Sequence, residues 1–367
     1  MKNLIAEFQE RLRTATQSKS PLCIRGGGTK DFYGAALKGD VLDTRPYSGI
    51  IDYEPKELVL TVRAGTQLDE IERALAAEKQ MLPFEPPHFG TAATIGGTVA
   101  AGLSGPRRAY TGAVRDFVLG ARVLDGQGQD LAFGGRVIKN VAGYDVSRLM
   151  VGAMGTLGLL LDMSFKVLPQ PPAEKTLRFE MDEARAIEAM NRWAGQPLPL
   201  SATSWHEGVL LVRLSGADAG VAAAVKKLGG EEVKDAQTFW HDLREQRHAF
   251  FAAATPLWRL SLPATTLPLD VGAPQWIEWG GALRWLCADL SAKALREKVA
   301  AAGGHVTLFR GGDKSVGVFH PLPAALAKIH QRLKDTFDPA GILNPGRVDS
   351  FCRSPSPTLA ADANQSR

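Results

Sequence analysis

Three consecutive glycines at positions 26–28 follow a short apolar run, residues 22–24, near the start of the chain. Glycine has no Cβ atom and adopts positive φ angles at little cost, so such a turn exposes successive backbone N–H groups. These groups form a concave nest for an anion, usually phosphate, and Arg25 adds a cation beside it. Glycine turns also occur in loops that bind nothing. The rest of the chain therefore decides whether this loop belongs to a nucleotide site.

The composition predicts a globular chain of more than one domain. Its 367 residues are many for one core, and 45% apolar with 22% charged residues is a globular composition. The net charge is +4, and the basic residues group no further than pairs such as Arg107 and Arg108, so no nucleic-acid surface is expected. No apolar run of about 18 residues is present, so we expect no transmembrane segment. A missing secretory core and three scattered cysteines favour a cytoplasmic location.

Two further glycine-rich blocks follow the first loop. Residues 86–116 contain an apolar stretch at 94–99 that is too hydrophobic for a linker, which we interpret as backbone packed against something flat or anionic. Residues 117–133 predict a hairpin, because Asp125 and Gly126 stand between two apolar runs. In the third block, residues 136–168, the glycines at 152, 155 and 158 recur every three positions before a predicted buried strand. The first loop is neither a P-loop nor a Rossmann motif, because Asp31 stands where the latter requires glycine. Nicotinamide and ATP sites are therefore disfavoured.

The composition changes between residue 173 and about residue 320, where all seven tryptophans lie. The predicted order of strand, helix, two strands and helix is typical of a ferredoxin-like α+β unit. A hairpin is predicted around Gly280 and Gly281, and one helix from about Thr238 to Ala254. We expect this region to form a second domain.

In order and spacing, the three blocks resemble the vanillyl-alcohol oxidase/p-cresol methylhydroxylase (PCMH) family of FAD-binding domains over about residues 20–168. The resemblance implies FAD as cofactor, with its pyrophosphate at the first loop. Glycine-lined walls and bare N–H donors agree with a diphosphate and a planar flavin. Carried over position by position, it implies these cofactor-binding residues: Arg25, Gly26, Gly27, Gly28, Thr29, Thr94, Gly96, Gly97, Thr98, Ser104, Gly112, Tyr144, Gly155, Gly158 and Leu159.

Two departures from the family pattern bear on the chemistry. Some members attach FAD to a histidine after the glycines, whereas Thr29 and Lys30 stand here, so we expect non-covalent FAD at this loop. Catalytic members of the FAD-linked oxidase branch carry a histidine-containing metal motif, and the corresponding residues 308–316 contain no histidine. We therefore expect no metal and assign no catalytic residue.

Several other residues remain between two interpretations. Tyr144 either borders the flavin or packs in the core. For Arg107 and Arg108 a solvated turn is favoured over a contact to FAD or to a partner. A structural role is favoured over a catalytic or flavin-facing one for four more residues: His88, His305, Arg310 and His320.

The closing segment, residues 337–347, and the tryptophan-rich run 276–285 extend the resemblance to the whole chain. Together with the chain length, they resemble the FAD-binding subunits of glycolate oxidase complexes. That resemblance implies a larger catalytic flavoprotein subunit and an iron–sulfur subunit as partners, and a small 2-hydroxy acid as substrate. It leaves open a peripheral position at the inner face of the membrane through these partners.

The predicted fold is α+β, with a two-subdomain PCMH-type FAD-binding domain over residues 1–170 and a ferredoxin-like α+β cap domain over residues 171–320. Residues 321–350 are expected to return to the FAD-binding domain, and residues 351–367 to form a disordered tail. The predicted function is an FAD-binding subunit that passes electrons towards an iron–sulfur partner. Three alternatives remain: a self-sufficient D-2-hydroxy acid dehydrogenase, a non-catalytic assembly subunit, and a sugar or lactone oxidase.

Overall fold

The computed structural model describes residues 1–135 and 146–348. Within these ranges the helices are α1 (Lys2–Ser18), α2 (Leu68–Ala77), α3 (Ile95–Ala101), α4 (Arg108–Thr111), α5 (Val114–Phe117), α6 (Val146–Leu149), α7 (Glu183–Ala194), α8 (Asp218–Leu228), α9 (Ala236–Arg244), α10 (Ala292–Ala301) and α11 (Ala324–Phe337). The strands are β1 (Leu22–Arg25), β2 (Asp40–Asp43), β3 (Ile50–Glu54), β4 (Val59–Arg63), β5 (Gln80–Met81), β6 (Val118–Leu124), β7 (Asp130–Gly134), β8 (Leu159–Lys166), β9 (Leu168–Pro169), β10 (Ala173–Glu180), β11 (Leu200–His206), β12 (Val209–Gly216), β13 (Glu231–Glu232), β14 (Leu257–Ser261), β15 (Gln275–Glu278), β16 (Leu283–Cys287) and β17 (His305–Arg310).

The described part of the N-terminal region, residues 1–169, contains three sheets, one of which is the short pair of β5 and β9. The other two frame the first glycine loop. β1 and β2 pair in parallel, and α1 packs Phe8 and Leu12 against the same core cluster as Leu22 and Leu42. The second sheet has the strand order β3-β4-β8-β6-β7 and is antiparallel throughout. The antiparallel pairing of β6 with β7 confirms the hairpin that the sequence predicts there.

Within the apolar stretch at 94–99, which the sequence predicts to pack against something flat or anionic, residues 95–99 belong to helix α3. Thr94 caps α3, because its Oγ1 accepts a hydrogen bond of 3.2 Å from the Gly97 N–H group. A Cβ atom on Gly96 would lie 2.8 Å from the Ala64 carbonyl oxygen. The expected close packing is therefore present, and its partner is the turn after β4.

The cap, residues 173–310, is built on one sheet of eight strands in the order β13-β10-β12-β11-β15-β16-β14-β17. All of its strand pairs are antiparallel. The predicted order of the ferredoxin-like unit is found in β10, α7, β11, β12 and α8, and β15 with β16 confirms the hairpin. The prediction of one helix from 238 to 254 is wrong. α9 ends at Arg244, and Gln246 follows with a φ of 53° that no α-helix accommodates.

Arg107 is not part of a solvated turn, because its side chain is 7% exposed and lies in a cluster of four charges. Its guanidinium contacts Glu85 at 3.2 Å and Glu174 at 2.9 Å, and Arg213 contacts Glu85 at 2.9 Å. Burial acts to raise the pKa of Glu85, but Arg213 and Arg107 outweigh it and leave that pKa below its usual value. Since Glu174 and Arg213 belong to the cap sheet, the cluster joins the cap to the N-terminal region.

The segment after α11 returns to the first glycine loop. The Leu22 N–H group donates to the Ile342 carbonyl at 2.8 Å, and the Asn344 N–H group donates to the Leu22 carbonyl at 2.9 Å. The Asn344 side chain accepts a hydrogen bond of 2.7 Å from the Ile24 N–H group. These contacts add the closing segment to the edge of β1.

The domain boundaries that the sequence indicates stay a prediction, and the expected tail at 351–367 lies outside the described residues.

A buried ion pair fixes the turn that follows α11. The Lys334 ammonium donates to Asp338 at 2.6 Å and to the carbonyl oxygens of Thr156 and Leu343 at 2.7 and 2.9 Å. Lys334 is 5% exposed and Asp338 is 0% exposed.

The described part of the chain contains no helix with the length and apolarity that a membrane span requires.

Replacing Lys334 by methionine is expected to lower the free energy of unfolding by about 3–5 kcal/mol, because it leaves the Asp338 carboxylate buried without its cation. Urea denaturation followed by circular dichroism measures the change. Lys328→Met, on the exposed side of the same helix, is the matched control and is expected to stay within about 0.5 kcal/mol. Equal, small effects of the two substitutions would contradict a structural role for the pair.

Candidate functional site

The first glycine loop lines a narrow cleft together with residues of α3 and of the turn before β8. Ten residues that the sequence predicts to bind the cofactor lie on its wall, and they come from all three blocks: Arg25, Gly26, Gly27, Gly28, Thr29, Thr94, Gly96, Gly97, Gly155 and Gly158. Among the lining residues that the motifs did not indicate are Lys30, Asp31, Tyr33, Met154, Asn344 and Arg347. Folding thus brings together segments that lie more than a hundred residues apart.

Glycine is required in the loop by close approach and by backbone conformation. A Cβ atom on Gly27 would lie 1.6 Å from the Ala92 carbonyl oxygen, and one on Gly26 would lie 2.4 Å from Thr94 Oγ1. Gly28 has a φ of 73°, which side chains rarely adopt. The loop is therefore a cradle of backbone that no larger residue could build, and its donors suit the oxygens of a diphosphate.

Four predicted residues of the described structure do not line the cleft. Thr98 is fully buried inside α3, and Leu159 is fully buried in the core at the start of β8. Gly112 ends α4 with a φ of 115°, and Ser104 faces a second cavity. Tyr144 lies outside the described residues.

The charged groups around the cleft carry net positive charge. Arg25 pairs with Asp31 at 2.6 Å, and Arg347 donates to the carbonyl oxygens of Asp31 and Lys30 at 3.0 and 3.3 Å. The Lys30 ammonium donates to the His88 carbonyl at 3.2 Å, and burial lowers the pKa of Lys30 to about 8. Three cations thus face one carboxylate, which favours an anionic ligand.

His88 connects the second block to two helices. Its ring nitrogens lie 3.2 Å from Asp69 and 3.1 Å from Glu72, both on α2. The backbone N–H groups of His88 and Phe89 donate to Glu245, which follows α9, at 3.2 and 2.8 Å. Because both ring nitrogens already face carboxylates, these contacts are those of a structural histidine. Its backbone carbonyl accepts from Lys30, so the cluster also positions one wall of the cleft.

A second and larger cavity, which we name the cap cavity, opens between the N-terminal region and the cap sheet. Its volume of about 890 Å³ lies in the range of small-molecule sites. Tyr33, Ala101 and Met154 line both the cleft and the cap cavity, so the two spaces adjoin. Among the described lining residues there is no Asp or Glu, while seven are basic: Arg108, Arg115, Arg259, Arg296, His305, His320 and His330.

One polar patch of the cap cavity comes from the paired strands β14 and β17. Arg259 lies opposite Thr307, and Ser261 lies opposite His305, and all four residues line the cavity. Side chains alternate between the faces of a strand, so these four share one face. The other face of the same strands is apolar and packs on α10, through Trp258, Leu260, Val306, Leu308, Leu295 and Val299. A sheet face that merely covered a neighbouring domain would not need this polarity.

Two arginines meet at the Trp279 indole ring. The guanidinium carbon of Arg108, from the N-terminal region, lies 4.5 Å from the ring centroid, and that of Arg259 lies 5.2 Å from it. Burial lowers the pKa of Arg108, and the positive charge of Arg259 lowers it further. Like Arg107, Arg108 is therefore no part of a solvated turn.

The cap histidines for which a structural role was favoured lie on this cavity. Burial lowers the pKa of His305, and Arg259 and His320 lower it further. Burial and then Arg296 likewise lower the pKa of His320. The lowered pKa values favour the neutral form of both imidazoles, which is the form that can accept a proton. Arg310, by contrast, lies 4.6 Å from the centroid of the Phe32 ring and does not line the cavity.

Glu278 ends β15, directly before Trp279, and is 5% exposed. Its carboxyl accepts a hydrogen bond of 2.8 Å from the Trp285 indole N–H group. Burial raises the pKa of Glu278 to about 7, although Trp285 and Arg259 act in the opposite direction. No motif indicates this residue beyond its place in a tryptophan-rich run, because no local pattern reveals its burial.

Comparison with known proteins agrees with the interpretation of the cleft as an FAD site. A family model described as an FAD binding domain matches residues 4–134, and one described as the C-terminal domain of FAD linked oxidases matches residues 322–348. The glycolate oxidase subunit GlcE of Escherichia coli (strain K12) is 49% identical over 339 residues, which cover 92% of this chain and 95% of that protein. The chain belongs to the GlcE family of glycolate oxidase subunits.

Other relatives match more weakly. The glycolate oxidase subunit GlcD of Bacillus subtilis (strain 168) is 30% identical over 224 residues, which cover 60% of this chain and 47% of that subunit. The D-lactate dehydrogenase of Anaerostipes hadrus is 30% identical over 44% of this chain and 34% of its own length. The GlcE relationship and the two family models make the chain an FAD-binding member of an oxidoreductase family.

Solved structures agree in fold at low sequence identity. The 4-ethylphenol oxidase of Gulosibacter chungangensis aligns with a TM-score of 0.69 at 15% identity, covering 94% of this chain and 87% of that one. A p-cresol methylhydroxylase aligns with a TM-score of 0.68 at 17% identity, covering 95% and 87%. The predicted α+β fold with a PCMH-type FAD-binding domain is confirmed.

Gly27→Ala is expected to lower the melting temperature by several degrees, because its Cβ atom would lie 1.6 Å from the Ala92 carbonyl oxygen and the loop would have to move. Gly220→Ala, on α8, is the control, since a Cβ atom there meets nothing within 4 Å. That substitution is expected to stabilise the chain by up to about 1 kcal/mol. Differential scanning calorimetry compares the two, and an unchanged Gly27→Ala would show that the close approach is not maintained in solution.

Glu278→Gln is expected to change how stability depends on pH. The folded chain holds the Glu278 proton up to about pH 7, whereas the unfolded chain releases it near pH 4.3. The carboxyl therefore contributes stability that is fully present below about pH 4.3 and is lost as the pH rises through about 7. The glutamine variant lacks this loss, which follows from pKa values of about 7 and 4.3 and is of the order of 4 kcal/mol in full and about 2–3 kcal/mol between pH 5 and pH 8.

The measurement for Glu278→Gln is the difference between the unfolding free energies at pH 5 and pH 8, from urea titrations. The control is Glu207→Gln, whose side chain is 78% exposed, and it is expected to leave that difference unchanged. A Glu278→Gln variant with the pH dependence of the parent protein would show that Glu278 is ionised normally.

Proposed function

We propose that this chain binds FAD non-covalently in the glycine cleft and serves as the FAD-binding subunit of a complex that oxidises glycolate and related 2-hydroxy acids to 2-oxo acids. The observation that carries the proposal is the cleft itself, where three separate glycine-rich blocks meet beside three cations. The GlcE relationship supports the choice of substrate.

The loop Gly26–Gly28 would hold the pyrophosphate by its backbone N–H groups, and Arg25, Lys30 and Arg347 would offset its negative charge. The cleft measures about 100 Å³, which suits an extended phosphate chain better than a whole dinucleotide. The remainder of the cofactor has room where the cleft adjoins the cap cavity. Thr29 follows the glycines in place of a histidine, which supports non-covalent binding at this loop.

Bound FAD supplies two-electron redox chemistry. The chain's own contribution is to hold the cofactor, to exclude bulk water beneath the cap sheet, and to offer a proton acceptor near the hydroxyl group that is oxidised. His305 and His320 are suited to that last role, since both line the cap cavity and their lowered pKa values favour the neutral imidazole that can accept a proton.

We further propose an iron–sulfur subunit as electron acceptor and a larger catalytic flavoprotein as second partner, with the assembly in the cytoplasm or at the inner face of the membrane. The positions of the cysteines support an electron acceptor that lies outside this chain. Cys23 and Cys287 are free, and they lie in separate regions of the described structure. The similarity to a GlcD subunit supports the larger flavoprotein partner.

The visible spectrum of the purified chain tests the proposal. We expect flavin absorption bands, and we expect Arg25→Met to raise the Kd for FAD about tenfold because one charge-assisted contact is lost. Arg45→Met is the control, because Arg45 is 59% exposed and pairs with Asp43 away from the cleft wall. Flavin fluorescence on titration with FAD measures both constants.

The same sample distinguishes the alternatives. Absence of flavin after addition of FAD would favour the non-catalytic assembly subunit and refute the proposal. Anaerobic bleaching by glycolate without partners would show a self-sufficient dehydrogenase. Bleaching by a sugar lactone and not by glycolate would show a sugar or lactone oxidase.

A further inference from the structure

Arg108 and Arg259 bring two positive charges to one indole ring, that of Trp279. The pair has carboxyl groups near it, since Glu278 acts on Arg259 and Asp116 acts on Arg108. Neither of these carboxyl groups lines the cap cavity, and no other Asp or Glu is among its described lining residues. On the cavity side the two guanidinium groups therefore meet no anion from the described residues, and their positive charge favours an anionic ligand there.

The groups beside the arginines define what kind of anion fits. Ser261, His305 and Thr307 share the cavity-facing side of β14 and β17 with Arg259. Hydroxyl groups and a neutral imidazole can each donate or accept a hydrogen bond. A guanidinium binds carboxylates in a planar, bidentate way. The hydroxyl groups and the imidazole beside it therefore suit an oxygen atom on the carbon next to that carboxylate.

We propose that Arg108 and Arg259, held on Trp279, form a carboxylate-binding site of this chain, and that its ligand is a small 2-hydroxy or 2-oxo acid. The choice of acid rests on the proposed function. Arg108 comes from α4 and Arg259 from the cap sheet, so a bound carboxylate is held by both parts of the chain at once. The substrate is then recognised on this subunit as well as on the larger catalytic partner.

The test is a calorimetric titration of the FAD-loaded chain with oxamate, a redox-inert 2-oxo carboxylate. We expect one site per chain, and we expect Arg108→Met and Arg259→Met each to weaken oxamate binding at least tenfold. Arg259→Lys keeps the charge and is expected to lose less. The matched control is Arg192→Met, on the exposed side of α7 with a side chain that is 58% exposed, and it is expected to change affinity less than twofold. The uncharged methyl ester of oxamate is not expected to bind.

Flavin absorbance of the same samples separates the possible failures. If the methionine variants bind oxamate as the parent does, the arginine site is refuted while the FAD proposal stands. If they lose FAD rather than oxamate, the arginines hold the cofactor phosphates and the inference is again refuted. If the parent chain takes up no FAD, the proposed function fails, and oxamate binding to that chain still reports on the arginine pair. Circular dichroism and the Arg259→Lys variant distinguish loss of the site from loss of the fold.

Discussion

The contact between the first glycine loop and the Ala92 carbonyl is the constraint on which the site depends. At Gly27 there is no room for even a methyl group, so the loop and the second block form one wall. The closing segment then covers the other edge of β1 through Leu22 and Asn344. A cleft of bare backbone can exist here because these segments fix the loop from two sides.

Electrostatic contacts hold the cap over this cleft, and two consecutive residues, Arg107 and Arg108, have different roles there. Arg107 is buried among Glu85, Glu174 and Arg213, and such a cluster is costly to break because each charge depends on the others. Arg108 follows directly and reaches the Trp279 ring on the cavity side. The ion cluster therefore sets the distance between α4 and the cap sheet, and with it the position of Arg108.

The features that the sequence predicted correctly are those that depend on local residue patterns and on recurring glycines. The glycine blocks, the β6–β7 hairpin and the strand order of the cap's first half follow from turn residues and alternation. The cap cavity could not be predicted in this way, because Arg259, His305 and Arg108 are isolated residues whose neighbours become visible once the sheet register is known. The helix predicted across 238–254 failed for a similar reason, since propensity did not reveal the positive φ at Gln246.

Residues 308–316 correspond to the histidine motif of catalytic relatives, and in this chain they have a structural role. The Lys314 ammonium donates to the carbonyl oxygens of Phe32 and Gly34, both at 2.7 Å, directly after the glycine loop. The segment thus fastens the cap to the cofactor cleft. Positive charge at the cap cavity comes instead from arginine side chains, which stay protonated at any physiological pH. Such a site can orient a carboxylate without a metal ligand set, while the proton acceptor has to be a separate neutral group such as His305.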